Sequence, residues 1–201
     1  MGKIISWSGL NSFEPKSFKC GFCGNDVGSK EGYFGQTPNA IYQDHIYICP
    51  ACSRPSFFNY LLKQFPAIRL GRDIKWITDE KIEALYNEAR DATSVGAYTA
   101  AVMICRKLLM NIAIQKKAKT GLSFNKYVEY LVEAGYVPPD GRDWVDDIRD
   151  KGNEANHEID LMTASDAQRI TYFTEMLLIF VYELPGMQRD ASSKTLAEKK
   201  P

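Results

Sequence analysis

Cys20-Gly21-Phe22-Cys23 and Cys49-Pro50-Ala51-Cys52 decide how the first quarter of this chain is read. They are two C-x-x-C pairs with 25 residues between Cys23 and Cys49. Each pair makes a tight turn whose sulfurs converge on one point, and two such turns supply four thiolates to one tetrahedral zinc. Gly24 after the first pair and Pro50 within the second suit these turns. Strand-like stretches at 33–37 and 41–48 lie between them. Residues 18–55 therefore read as a zinc ribbon holding one structural Zn2+ on Cys20, Cys23, Cys49 and Cys52. Disulfides and a redox dithiol are the rivals for the same spacing. His45, four residues before Cys49, is expected to be a strand residue rather than a ligand.

Outward from the ribbon, 201 residues suffice for one ordinary domain plus a small module. No apolar run reaches membrane-spanning length and no signal peptide opens the chain. The expectation is a cytoplasmic protein with no membrane partner, where thiols bind metal rather than pair. Twenty-five basic and 25 acidic residues balance. Such a balance is no evidence for tight non-specific nucleic-acid binding, although a local basic patch is compatible with it. Cys105 sits in an apolar helical run, with no histidine near it in sequence, and reads as a small core residue.

Residues 1–17 are mixed, and ordered only if docked on the ribbon. Residues 56–77 read as a connector, yet Phe57, Phe58, Tyr60, Leu61, Leu62 and Phe65 are too apolar to be free. From Thr78 the pattern is helical. Thr78-Asp79-Glu80 opens a first helix carrying Ile82, Leu85, Tyr86 and Ala89 at helical spacing. Its charged residues, Asp79, Glu80, Lys81, Glu83, Glu88, Arg90 and Asp91, read as a solvated face. A second helix runs from about Ala97 to Lys119, apolar nearly all round from Ala100 to Ile114 and so buried on several sides. A third covers Ser123 to Ala134 and a fourth about Arg142 to His157. A fifth starts at Thr163, with Asp166 as its cap partner, and is expected to stop at Pro185. Residues 186–201 are polar and expected to be a disordered tail. The fold class is mainly α: an antiparallel bundle over 78–185, preceded by a small β zinc ribbon. The second helix is also the candidate dimer face.

In the fourth helix, 100° per residue places Arg149, Asn153, Asn156 and His157 on one face, with Gly152 open to close approach. An arginine, two amides and an imidazole can bind a phosphate and move a proton. They can equally form a structural network that ties the helix down. Arg106, in an apolar run, needs an acidic partner or an anionic ligand, with Asp147, Glu154 and Glu175 as the candidate partners.

Residues 78–185 resemble the domain-of-unknown-function 4145 family. The resemblance rests on residues 85–90, on 96–103 leading into Cys105-Arg106-Lys107-Leu108-Leu109, and on Ile148-Arg149 followed by residues 152–159. It implies a bacterial protein of defence, stress or restriction type, since such domains occur beside restriction-enzyme subunits. Members like this one also carry an N-terminal zinc ribbon. The family looks like a branch of the HEPN superfamily, helical domains many of which dimerise and cut RNA without metal. Their motif is an arginine, a polar residue, and a histidine after four to six intervening residues. Here Arg149 precedes polar Asp150, and seven residues separate Arg149 from His157. The resemblance implies a homodimer with a composite endoribonuclease site of Arg149, Asn153 and His157, and with Arg106 and Asn156 on phosphate or partner. The alternative is a non-catalytic module whose ribbon docks a protein or nucleic acid, or whose Arg149–His157 face binds a nucleotide.

Overall fold

The computed structural model describes residues 7–38, 43–138, 144 and 161–198. It divides into two compact units, 1–69 and 70–201.

The first unit is an antiparallel sheet of β1 (Asn11–Lys19), β2 (Asp26–Gln36), β3 (Gln43–Ile48), β4 (Pro55–Phe58) and β5 (Gln64–Phe65), in sequence order. The strands therefore start inside the segment read as 1–17 and run on past residue 55, through the first half of the expected connector. Register fixes the faces, because directly paired residues share one side. Phe34, His45 and Phe58 form one row, with Tyr47 beside it. Phe13 and Phe18 close over that row, edge-to-face except for the tilted Phe18–Tyr47 pair, with ring centroids 5.2–6.2 Å from their neighbours. Tyr47 and Phe58 are buried there. The tip of the β4–β5 hairpin is locked by Asn59, whose Oδ1 accepts from the amides of Leu61 and Lys63.

The second unit holds α1 (Glu80–Ser94), α2 (Tyr98–Gln115), α3 (Phe124–Glu133) and α4 (Ala164–Leu178). A π turn (Ile179–Glu183) then leads into α5 (Leu184–Glu198). Among the described residues, no helix is long and apolar enough to cross a membrane. The predicted fourth helix falls outside the described residues except for helical Trp144, whose ring meets Phe173 edge-on.

Local chemistry sets the helix ends. Asp79 caps α1 by accepting from the Lys81 amide, and Thr163 with Asp166 completes a reciprocal capping box on α4. Three helices close with the same pair of backbone bonds, in which the residue three past the helix reaches back over a residue in the left-handed region. These are Ala97 over Gly96, Ala118 over Lys117 and Tyr136 over Gly135. Lys117 at φ 79° shows why α2 ends before the expected Lys119: the reversal needs no glycine and does not wait for Gly121.

Helix α2 lies at the centre, burying Ala101, Val102, Cys105, Leu108, Leu109, Ile112 and Ala113 against α1, α3 and α4. Met103 and Ile114 stay exposed on its outer side. Phe173, Leu177 and Leu178 of α4 complete the core with Tyr127, Val128 and Leu131 of α3.

Two expectations change. The helix does not stop at Pro185 but continues to Glu198, across most of the segment read as a disordered tail. Proline has no N–H for the α ladder, and the chain meets it with a π turn, which opens the helix and lets it resume. Nor does Arg90 belong to a solvated face. It is buried beneath residues 70–73, donating to the Leu70 carbonyl at 2.8 Å, the Asp73 carboxylate at 2.6 Å and the Gly71 carbonyl at 3.3 Å. Residues 70–77, the second half of the expected connector, are thus part of the helical unit. Ile74 enters its core, and Arg72 forks onto Glu183 at 2.8 and 3.1 Å. Glu175 and Glu183, eight residues apart, would stand about 80° apart on a continuous α-helix. The extra residue of a π turn rotates the rest of the helix by about 100°, bringing both carboxylates round to Arg72.

Candidate metal centre

The two C-x-x-C turns have the same backbone. Cys20 N–H donates to the Asn25 carbonyl at 2.9 Å and Gly24 N–H to the Cys20 carbonyl at 2.9 Å. In the second turn, Cys49 N–H donates to the Arg54 carbonyl at 2.9 Å and Ser53 N–H to the Cys49 carbonyl at 2.8 Å. The fourth residue past each leading cysteine has positive φ: Gly24 at 71° and Ser53 at 57°. Glycine adopts this freely, whereas a serine there is strained. Trp7 braces that second turn by donating its indole N–H to the Ser53 carbonyl at 2.8 Å.

The four sulfurs lie within 4.8 Å of one another. Cys20 Sγ–Cys52 Sγ and Cys23 Sγ–Cys49 Sγ are both 3.8 Å. A tetrahedron with metal–sulfur bonds of about 2.3 Å has edges of about 3.8 Å, so two opposite edges already match a tetrathiolate site. A disulfide requires about 2.05 Å, and all four cysteines are free thiols here. Electrostatics point the same way. The Cys52 thiol is pushed up to about 12, by burial first and then by the neighbouring sulfurs. Cys23 is also raised, chiefly by burial. Burial pushes Cys20 up too, but the backbone amides of Cys23 and Phe22 together with the Cys23 and Cys49 side chains hold that thiol below its ordinary value. Four thiols this close, two of them buried, resist ionising together, and a cation at their centre removes that resistance. His45 stands apart in β3, stacked on Tyr47 at 5.7 Å, as expected of a strand residue.

Gly21 has a role that sequence alone did not reveal. A Cβ there would lie 2.4 Å from the Pro66 carbonyl oxygen and 2.6 Å from that of Ala67. The chain leaving β5 crosses directly over the first turn, and no local pattern signals that approach.

In the helical unit, the guanidinium of Arg106 lies 4.5 Å above the Phe124 ring, and burial lowers its pKa. Glu175, one of its candidate partners, is instead 4.0 Å from Arg72. Cys105 is buried against Thr171, and its thiol is pushed up to about 11 by burial, as befits a core residue. An open groove of about 450 Å³ between α1 and α2 is lined by Asp79, Lys81, Glu88, Lys107, Asn111 and Gln115 among others. Gln115 donates to Asp79 at 2.7 Å and accepts from Tyr182 at 2.8 Å. Arg149, Asn153, Asn156 and His157 lie outside the described residues.

Residues 87–199 match the family described as Domain of unknown function (DUF4145). No curated protein matches the chain. No solved structure matches it.

Proposed function

The chain belongs to the DUF4145 family, whose description assigns no activity, and on that premise we propose a nucleic-acid-directed bacterial protein in which a structural zinc ribbon serves a HEPN-like effector domain. The observation that carries this reading is the four-thiol cluster with its tetrahedral edges. Four sulfur donors suit zinc, close its coordination sphere and leave no position for a substrate. The metal then holds the module together, and any chemistry belongs to the helical domain.

For that domain the reading is metal-independent RNA cleavage by a homodimer with a composite site. Support comes from the order Arg149, Asn153, His157 in the sequence. His157 takes the proton from the ribose 2′-hydroxyl, and the 2′ oxygen attacks phosphorus. The bond to the 5′ oxygen breaks, and that oxygen leaves with a proton. Arg149 holds the phosphate as charge develops, and Asn153 orients either group. The products are a 2′,3′-cyclic phosphate and a 5′-hydroxyl.

The test is RNA cleavage by the zinc-loaded chain, with oligomeric state checked by light scattering. His157→Ala is expected to lower the rate by about 10²–10⁴-fold while the dimer stays folded. Arg149→Ala is expected to do comparable damage. A verified dimer inert towards RNA, in which His157→Ala lowers only the melting temperature, would replace the nuclease with an interaction module. One observation favours that second reading: Leu61 and Leu62, at 70% and 69% exposure, stand on the locked β4–β5 tip, Leu62 at φ 60°.

A further inference from the structure

We infer that the outer face of α5, continued back through the π turn, is the surface on which a second copy of this chain docks; this rests on the homodimer reading above and moves its seam away from α2. Phe180, Leu184 and Met187 are 40%, 44% and 50% exposed, and Ala191 beyond them is exposed too. Leu184, Met187 and Ala191 fall within about 60° of one another at 100° per residue. Phe180 lies in the π turn, whose wider bonding takes more than four residues per turn and so keeps it in line with Leu184. Met176 of α4, one turn earlier, is half-buried against the core and forms the inner end of the stripe. From Phe180 onward the intervals are four, three and four residues, the spacing of a heptad seam along which two like helices pack.

Every residue from Met187 to Ser193 is exposed, so this stretch gains little from the core of its own chain. A helical segment as short as Met187–Glu198 is marginal alone in water, because most helical stability comes from packing an apolar face. A helix laid against the stripe supplies that packing. Charge selects which helix. α5 carries Arg189 and Lys194 against Asp190 and Glu198, so it has no net charge. It therefore does not repel a copy of itself, and it offers no basic surface to a nucleic acid or an anionic membrane. A two-fold axis sets the same apolar stripe on both sides of the seam. The rival face on α2 is interrupted: Lys107 stands exposed between Met103 and Ile114, and charged residues are depleted from interface cores.

The experiment is sedimentation equilibrium of the full zinc-loaded chain over a series of micromolar concentrations. Leu184→Glu combined with Met187→Glu sets like charges across the seam and is expected to weaken association by about 100-fold or more. Met187→Ala is expected to weaken it about 5- to 30-fold. Met103→Glu, on α2, is expected to leave it unchanged. Circular dichroism and the helical thermal transition confirm that each variant is folded. Hydrogen exchange on the unaltered chain is the second measurement: the amides of 188–193 should exchange more slowly in the concentrated dimer than after dilution. A dimer that survives the double change, or protection of 188–193 that does not vary with concentration, would overturn this seam and leave the homodimer reading in place. Protection of 188–193 by oligo-U or by phosphatidylserine vesicles in a chain that stays monomeric would give the stripe a different occupant and overturn the proposal. An unaltered chain that is monomeric throughout would remove both readings.

Discussion

The two units of this chain solve the same stability problem by different means. In the ribbon, the described apolar side chains that are buried are Cys20, Tyr47, Ile48, Cys49 and Phe58, and two of these five are proposed metal ligands. So few cannot offset the entropy of ordering a small module, and a cross-link has to supply the difference. The helical unit buries a continuous cluster from Ile74 to Tyr182 across α1, α2, α3, α4 and the π turn. It needs no metal. Its polar fastenings, Arg90 on residues 70–73 and Arg72 on Glu183, add position to a core that already exists. The contrast teaches that losing one bond type should dismantle one unit and spare the other.

The largest expected effect tests that contrast directly. Structural zinc contributes on the order of 10 kcal/mol to folding modules of this kind. Chelation, or Cys49→Ser, is expected to unfold the ribbon, while α-helical circular dichroism and the thermal transition of the helical unit persist. Elemental analysis should find one zinc per chain in protein purified without chelator. A single melt that takes both units together on metal removal would break the comparison.

Next in size is the converse change. Phe173 is fully buried in the helical core, and Phe173→Ala is expected to cost about 3–5 kcal/mol. The loss should appear in the helical transition, while zinc content and exchange protection of the ribbon amides stay unchanged. Ribbon destabilisation of similar size would show that the two cores are not independent.

The smallest effect sharpens the account of the polar fastenings. Glu183 accepts from Arg72 and from the Lys75 amide, and the Arg72 guanidinium holds its carboxyl below the ordinary range. A carboxylate whose folded pKa is depressed contributes stability above its unfolded value, near 4.3, and that contribution is lost as pH falls through the folded pKa. Glu183→Gln should therefore cost about 1–2 kcal/mol at pH 7, Arg72 being half exposed. It should also flatten the fall in stability below about pH 4. Glu175 acts in the opposite sense, because burial raises its carboxyl. Melting curves of both Gln variants between pH 3 and 7 separate the two. An unchanged acid limb in Glu183→Gln would remove this fastening from the account.

Much of this was legible along the chain. The metal turns could be read because their chemistry is local: two cysteines three apart, a turn between them, and a recurrence of the same spelling. The Thr163–Asp166 cap was local too, as were the apolar periods of α1, α2 and α3; the start of α1 was read one residue early, with Asp79 inside the first turn rather than as its cap. Three features were not. Arg90 reads as a surface charge until a strap twenty residues upstream is laid over it. The π turn before Pro185 reads as a helix end, because proline's local penalty gives no hint that the chain will absorb it. The fate of 56–77 is split between the sheet and the helices, although its composition showed only that it could not be free.

The sequence by itself therefore determined which residues could hold a metal, where most helices begin, and which faces are apolar, since each depends on side chains within a few positions of one another. Only the tertiary structure decided that the sulfurs meet at tetrahedral distances, that Gly21 must lack a side chain beneath residues 66 and 67, and that Glu175 and Glu183 turn together towards Arg72. Those depend on segments far apart in the chain arriving at one point, and pattern along a sequence carries no measure of that distance.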